Sequence, residues 1–403
     1  MTPTSTIVLS RRTALLAIAG ATAQLLTGCG GGGDSSQAGL SSGGTGSFTT
    51  GTVSGLGSII VNGIRYDDSS AMVYARDDDD AAVPVKVGMV VVVQGGKVTP
   101  AANANSLPTA TATSITVGSE WKGPVEAIDT TLQTLTLLGQ TVQLLASTVI
   151  EGEVFRLADI TTSMFVEVYG YLDPTTGVLQ ATRIETDDSA PSTYRLTGVV
   201  SNLDTTARTF AIGNTLISYG GGTSLPTNWA NGLQVRVRLS TTAVSGRWPA
   251  TRIQAFESAL AGNDDADGDE AELHGIVSGF QSAAAFMVNG IAVNASSATV
   301  SGTLANGVNV EVKGRVSSGV IVASEVEVKD EDEIENEDFE FHGTLSNVDT
   351  TARTFVLRGY TFSYDNATTF EGLTLSNGST DFVEVKAQLV EGGWLALEVK
   401  VDD

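Results

Sequence analysis

Residues that carry most metal, disulfide and nucleophile chemistry are scarce in this chain. Its 403 residues include one cysteine, Cys29, and two histidines, His274 and His342. One cysteine excludes an intrachain disulfide framework and a thiolate metal cluster. Nucleophilic catalysis normally needs a histidine base, and neither a Gly-x-Ser-x-Gly elbow nor a Gly-Lys-Ser/Thr phosphate loop occurs. The sequence therefore predicts a protein that is not an enzyme and holds no cofactor.

Basic and aromatic residues are also few. Lysine and arginine number 22 against 46 acidic residues, a formal charge of −24, and aromatic residues make up 6% of the chain. The resulting field repels phosphate backbones, which excludes nucleic acid as a partner. Abundant Thr, Ser, Val and Gly favour strands and turns over helices. We therefore predict an all-β fold.

No apolar run reaches the roughly 20 residues of a membrane-spanning helix. Arg11 and Arg12 precede an apolar run over residues 14–26, which is typical of a signal peptide and predicts one over residues 1–28. The arginine pair also resembles a twin-arginine export signal, so both export routes stay open. For the segment that ends at Cys29, one interpretation is an ordinary cleaved signal peptide in which the cysteine occurs by chance.

Leu26-Thr27-Gly28-Cys29 resembles the lipobox of bacterial lipoproteins. The resemblance implies acylation of Cys29, a membrane as partner through this anchor, and a location in the cell envelope. Gly30 after the cysteine, rather than Asp, implies the outer membrane by similarity to the enterobacterial sorting rule. Residues 29–47 are rich in Gly and Ser and have no apolar periodicity, so we expect a flexible tether.

Internal duplication organises the rest of the chain. Residues 201–210 read SNLDTTARTF and residues 346–355 read SNVDTTARTF. Around these copies five units recur about 70 residues apart, the size of a small domain. Each unit opens with a strand that contains a marker glycine: Gly51, Gly123, Gly198, Gly275 and Gly343. The units are predicted at residues 48–118, 119–187, 193–258, 271–329 and 339–403.

Each unit continues with the same three features. An Asn-Gly or similar turn between apolar flanks, as at Asn62-Gly63 and Asn289-Gly290, is typical of a β-hairpin. An alternating strand follows, as in residues 307–314, where Val and polar residues lie on opposite faces. A closing strand ends the unit. Five or six strands with polar turns predict a small closed barrel of the oligonucleotide/oligosaccharide-binding (OB) type, built as a meander.

The pattern resembles the bacterial family called domain of unknown function 5666. The resemblance is carried by Gly51-Thr52-Val53-Ser54, Asn62-Gly63, the run from Lys86 to Gly95, and Ala112-Thr113-Ser114-Ile115. It is strongest in units one and four, and unit five has Thr380 in place of a glycine. The resemblance implies a tandem β-barrel module of exported proteins with no assigned activity.

Acidic runs separate the later units, and we predict solvated spacers at residues 259–270 and 330–338. Asn263, Asp265, Asp267 and Asp269 also resemble the first half of an EF-hand loop, although His274 replaces the glutamate at position twelve. The alternative interpretation is therefore a calcium site of millimolar affinity at these four residues.

His274 and His342 stand one residue before a marker glycine, where other units have Thr50, Lys122 and Thr197. We expect a solvent-facing polar strand position, because a zinc site takes three or four ligands. Trp248 and Trp394 align with Leu179 and Ile321, which predicts packing rather than a sugar platform.

Three functions remain open at this point. The first is a non-enzymatic, lipid-anchored cell-envelope protein that acts as an interaction or structural array. The second is an array that binds an extracellular polysaccharide, with calcium as an aid. The third is a hydrolase with an unrecognised carboxylate pair, disfavoured because the acids gather in spacers where burial cannot raise their pKa.

Overall fold

The computed structural model describes residues 46–76, 84–103, 106–261, 266–330, 338–390 and 393–402. The all-β prediction is confirmed: the described elements are 29 strands and one 3-10 turn, Leu157–Asp159. The predicted signal peptide and Cys29 lie outside these residues. Gly46 and Ser47, assigned to the tether from the sequence, already belong to the first strand because they pair with Gly96 and Gly95.

The strands fall into five consecutive segments. The first has β1 (Gly46–Leu56), β2 (Ile59–Val61), β3 (Ile64–Asp67), β4 (Met72–Ala75), β5 (Val90–Gly96) and β6 (Thr109–Val117). The second has β7 (Trp121–Asp129), β8 (Thr134–Leu137), β9 (Gln140–Gly152), β10 (Phe165–Leu172) and β11 (Leu179–Asp187). The third has β12 (Tyr194–Asp204), β13 (Thr209–Ile212), β14 (Thr215–Tyr219), β15 (Gln234–Leu239) and β16 (Trp248–Ala255).

The fourth segment has β17 (Glu270–Ser282), β18 (Ala285–Val288), β19 (Ile291–Asn294), β20 (Thr299–Ser301), β21 (Asn309–Ser317) and β22 (Val320–Lys329). The fifth has β23 (Phe339–Thr344), β24 (Ser346–Asp349), β25 (Thr354–Leu357), β26 (Tyr360–Ser363), β27 (Thr369–Glu371), β28 (Phe382–Val390) and β29 (Gly393–Val401).

The fifth segment is a closed five-stranded barrel. β24 pairs with β25, β25 with β26, β26 in parallel with β29, β29 with β28, and β28 with β23. β23 and β24 are the two halves of one opening strand, separated by Leu345, which is 1% exposed. The cycle of pairs closes this barrel, and the side of β23 that faces away from β28 pairs with β1 of the first segment.

The same order of pairs recurs in the four earlier segments. In the first, for example, β1 pairs with β2, β2 with β3, β3 in parallel with β6, β6 with β5, and β5 with β1. The sequence had predicted a meander, in which each strand pairs with the next. The observed order differs from a meander at one point: the third strand pairs in parallel with the last strand instead of with the strand that follows it. In the first segment these are β3 and β6, and β5 lies between β6 and β1.

The marker glycines are explained by the hairpin turns. Asn289 has φ +50° and its Nδ2 donates to the carbonyl oxygen of His274 at 2.8 Å. A Cβ on Gly275 would lie 2.1 Å from that nitrogen. Asn62 bonds the carbonyl of Thr50 in the same way, beside Gly51. The turn residue therefore folds back over the opening strand, and only glycine leaves it room.

Apolar side chains from the barrel strands fill the interiors. In the fifth segment the core includes Phe341, Phe355, Phe362, Val385 and Trp394. Trp394 is 7% exposed, so its predicted role in packing is confirmed. The second and third segments share one continuous core instead of burying separate ones.

Opening strands join segments that are distant in sequence. Residues 47–50 of β1 pair in parallel with residues 270–273 of β17, and residues 55–56 pair with residues 340–341 of β23. β7 pairs with β12. Since these pairs continue the sheets between segments, the described residues from 46 to 402 form one compact unit.

The acidic stretch at residues 259–270 packs more closely than a solvated spacer does. Leu260 and Ala266 are 3% and 4% exposed and belong to the core of the fourth segment. The interpretation as a wholly solvated spacer is therefore wrong at these two residues, whose apolar side chains are buried at the margins of the acidic run. Residues 262–265 and 331–337 lie outside the described part of the chain.

Candidate functional site

The residues proposed for calcium are only partly described. Cys29, Asn263 and Asp265 lie outside the described residues. Asp267 Oδ1 accepts a bond from the backbone nitrogen of Ser318 at 2.7 Å, and Asp269 Oδ1 accepts one from that of Gly46 at 2.9 Å. Each of these two carboxylates thus already stabilises a backbone amide, and the calcium site stays a prediction.

The two histidines do not face solvent, so that prediction is wrong. His342 is 1% exposed. His274 as a whole is partly buried, but its Nε2 is enclosed without a hydrogen-bond partner, and its ring packs against Tyr171 at 5.4 Å between centroids. Burial lowers the pKa of His274 to about 4. The position is covered because the opening strands lie between segments.

A cleft with a volume of about 860 Å³ lies between the second and fifth segments. We call it the Arg183 cleft. Its walls come from β7, β9, β10, β11, β26, β28, β29 and the connections after β9 and β11, with Lys86 from the first segment. The residues used below are Lys86, Lys122, Glu151, Phe155, Phe165, Glu167, Arg183, Glu185, Tyr360 and Trp394.

A buried guanidinium organises one wall of this cleft. The Arg183 side chain is fully buried, with Nη1 donating to the carbonyl of Val87 at 2.9 Å and Nε to Glu185 Oε1 at 3.0 Å. Nη2 pairs with Glu151, and Lys86 Nζ donates to Glu185 at 2.9 Å. Burial alone would lower the pKa of Arg183, but the two carboxylates outweigh burial and raise it. Two cations and two anions thus neutralise each other here.

A second ion network lies at the junction with the third segment. Lys122 Nζ donates to Glu167 Oε2 at 2.6 Å, Ser119 Oγ donates to Glu167 Oε1 at 2.7 Å, and Arg195 Nη1 lies 3.3 Å from that oxygen. Burial would raise the pKa of Glu167, but Lys122 and its other partners lower it. This carboxylate is therefore held ionised.

Aromatic rings add apolar surface to the cleft. Phe155 is 58% exposed. Phe165 stacks on Tyr194 with centroids 6.3 Å apart. Burial and then Glu151 raise the pKa of Tyr360 to about 12, so its hydroxyl stays protonated. The cleft can thus offer one exposed ring, a phenol and paired charges to a polar ligand.

The same geometry provides few groups for catalysis. No histidine occurs among the described residues that line the cleft, and its Glu151, Glu167 and Glu185 are each paired with a cation. A glycosidase needs one carboxyl group with a raised pKa to act as an acid. The arrangement favours binding over proton transfer.

The sequence did not indicate the Arg183 network. Arg183 and Glu185 are two residues apart on β11, so they share a face, and that alternation was the available signal. Val87 and Lys86 come from the first segment, and their position depends on how the segments pack. The local sequence around Arg183 therefore does not predict its contact with the first segment.

A second cleft of about 630 Å³ lies where the first four segments meet. Glu120 stands on its wall, paired with Arg76 and 3.3 Å from Arg236. Burial would raise the pKa of Glu120, but the two guanidinium groups lower it. Since Arg76 and Arg236 come from the first and third segments, this acid links three segments.

Within the described residues, no helix is long and apolar enough to cross a bilayer. Comparison of the chain with curated proteins and with solved structures gave no match. Comparison with family models found one family in three regions, which correspond to the second, fourth and fifth segments. Of the two segments expected to resemble the family most, the fourth is among the matched regions and the first is not; the first has a longer connection between β4 and β5. Residues 122–185, 274–327 and 342–400 each match the family Domain of unknown function (DUF5666), so these three regions resemble repeats of this family.

Proposed function

We propose that the protein is a non-enzymatic, lipid-anchored protein of the bacterial cell envelope, in which five OB-like barrel domains form an interaction scaffold. The observation that carries the proposal is the parallel pairing of β1 with both β17 and β23. These pairs hold the first, fourth and fifth segments together. A scaffold needs such fixed relative positions, whereas separate beads on spacers would move independently.

The OB-like assignment rests on the pairing order. In each segment the hairpin strands follow the opening strand, the third strand pairs in parallel with the last, and the fourth closes onto the first. This order, 1-2-3-5-4-1, is that of the five-stranded OB barrel. Five segments with this order support five domains of one kind.

Anchoring follows from the sequence around Cys29. After export, the acylated cysteine would hold the chain at a membrane, and residues 30–45 would separate the barrels from the surface. We place the protein in the outer membrane because Gly30 follows the cysteine. The strongly acidic chain would not be attracted to anionic headgroups, so attachment depends on the acyl chains.

Anchoring is tested by growing cells with a clickable palmitate analogue. The wild-type protein should take up the label and sediment with outer-membrane fragments. Cys29→Ser should lose the label and the membrane association while the barrels remain folded. Label on the Cys29→Ser protein, or an unlabelled wild type in the soluble fraction, would refute the anchor.

A second function, polysaccharide binding, is favoured by the Arg183 cleft. Its volume of about 860 Å³ lies within the range of ligand pockets, and Phe155 offers an exposed ring on which a sugar face can stack. Glu151, Glu185 and Lys86 supply polar groups on the same wall. Calcium at the acidic stretch would assist such binding by stiffening it.

A glycan array with the purified protein, with and without millimolar calcium, tests this function. Retention of a defined glycan that Phe155→Ala reduces at least tenfold would support the cleft as the site. Leu132→Ala, at an equally exposed residue outside the cleft, is the matched control. Absence of retention would leave the scaffold role alone.

A further inference from the structure

A histidine and two carboxylates converge on one face of the fifth barrel. Glu340 and His342 are two residues apart on β23, so their side chains share a face. Glu384 on β28 is the direct cross-strand partner of His342. One ligand atom from each residue lies within 4.8 Å of the other two. Strand register alone therefore brings three metal-binding side chains together.

Asp402 orients the histidine in this cluster. Asp402 Oδ2 lies 2.6 Å from His342 Nδ1, so Nδ1–H donates to the carboxylate, and in the neutral ring the lone pair then lies on Nε2. Metal-binding histidines in proteins are held by an outer carboxylate in the same manner. Nε2 lies 2.7 Å from Glu340 Oε1. Two lone pairs at this distance require a positive charge or a proton between them.

Arg65 of the first segment brings a positive charge to this point. Its Nη2 contacts His342 Nε2 and lies 2.8 Å from Glu340 Oε1. The Arg65 side chain is 31% exposed, so it can withdraw into solvent without leaving a buried void. The cluster is thus arranged to hold a cation, and the cation that it holds, the Arg65 guanidinium, can move away.

The fourth segment offers an internal comparison. Glu272, His274 and Glu311 occupy the same three positions, with His274 directly opposite Glu311. There Lys313 Nζ and Lys329 Nζ lie 2.7 and 3.2 Å from the Glu311 carboxylate. In the fifth segment Lys386 Nζ is 3.9 Å from Glu384 and closer, at 3.3 Å, to Glu398. Two close lysines neutralise the fourth cluster, whereas the fifth relies on Arg65.

We propose that Glu340, His342 and Glu384 bind a divalent first-row transition-metal ion such as Zn²⁺, and that the ion displaces Arg65. One imidazole and two carboxylates form a set suited to Zn²⁺, and three protein ligands leave a coordination position for water. Asp402 is a positioning residue that fixes the His342 ring. Because Arg65 belongs to the first segment, metal binding also releases one contact between the first and fifth segments.

The test is titration of the purified full-length protein in detergent with ZnCl₂, followed by calorimetry, and with CoCl₂, followed by visible absorption. Wild type should bind one ion at this site, and the Co²⁺ spectrum should show a histidine and carboxylate environment. Glu384→Gln and His342→Gln should each weaken binding at least tenfold. Arg65→Gln should strengthen it at least threefold, since it removes the competing guanidinium.

Arg65→Gln is the decisive variant because it should strengthen metal binding, whereas the two ligand substitutions should weaken it. Loss of one positive charge at a random surface position would change affinity little. His274→Gln, at the corresponding position of the fourth segment, is the control and should leave the affinity unchanged. Binding that is absent in wild type, unaffected by Glu384→Gln, or not strengthened by Arg65→Gln overturns the proposal. If His342→Gln fails to fold, the other two variants decide.

Discussion

Substitution of Arg183 by methionine tests whether the ion network of the Arg183 cleft holds the segments together. Methionine has a similar length and fills most of the volume, so the substitution removes the charge and the donors with little change in packing. The side chains left behind are Glu151 and Glu185, with Lys86 still 2.9 Å from Glu185 and 3.8 Å from Glu151. The carbonyl of Val87 loses the bond from Arg183.

The cost can be worked from these partners. Removing one member of a buried ion pair costs about 3 to 5 kcal/mol. The Glu151 and Glu185 side chains are 29% and 27% exposed and keep Lys86 as partner, so their share falls to about 1 kcal/mol. Leaving the Val87 carbonyl without its donor adds about 1 to 3 kcal/mol. We therefore expect Arg183→Met to lower the free energy of unfolding by about 2 to 4 kcal/mol.

Urea denaturation followed by tryptophan fluorescence measures this difference. The matched control is the triple variant Arg183→Met, Glu151→Gln, Glu185→Gln, which also removes the two charges that the single variant leaves unpaired. It should recover about 1 kcal/mol of the loss, the share assigned to these two carboxylates. A single variant within about 1 kcal/mol of wild type, or a triple variant as unstable as the single one, would show that the network does not stabilise the fold.

Three further predictions concern stability. Trp121→Phe should lower the free energy of unfolding by about 2 to 4 kcal/mol, because Trp121 is 1% exposed and its Nε1 donates at 2.8 Å to a carbonyl oxygen of the third segment. Thermal unfolding measures the difference, and an unchanged unfolding midpoint would argue against it. Gly275→Ala should lower the free energy of unfolding by about 1 to 3 kcal/mol, because the added Cβ clashes with Asn289. Adding Asn289→Gly should restore part of that stability in the same assay. The pKa of Glu272 is raised to about 8 by burial and by Glu311, so this group stabilises the fold fully below its unfolded value and loses that contribution as pH rises towards 8. Unfolding midpoints should therefore fall between pH 5 and 8.5 in wild type and stay flatter in Glu272→Gln; equal slopes would contradict the assignment.

Local features of the fold were predictable from sequence because they depend on neighbouring residues. Asn62-Gly63 and Asn289-Gly290 form the predicted turns, with both asparagines at positive φ. The alternating strand at residues 309–317 has its valines inside, as its period of two indicates. A turn or a strand face is decided by a few consecutive residues, and these are visible in the chain.

Contacts between segments were not predictable in this way. The exposure expected for His342 was wrong because β23 lies against β1, which is almost 290 residues earlier in the chain. Trp121 illustrates the same limit, since its indole bonds a carbonyl of the third segment. Side chains that pair across such distances produce no periodic pattern in the sequence. Each of these strands has the same alternation of apolar and polar residues as a strand with one face in solvent.

The double pairing of β1 has a consequence for the order in which the molecule is completed. Residues 47–50 meet residues 270–273, and residues 55–56 meet residues 340–341, only after most of the chain has been synthesised. During that interval the outer backbone groups of β1 are available to any other extended peptide. Chains that stop before β17 keep them available permanently and would associate with one another. The fourth and fifth segments thus cover the outer backbone groups of β1 in the first segment.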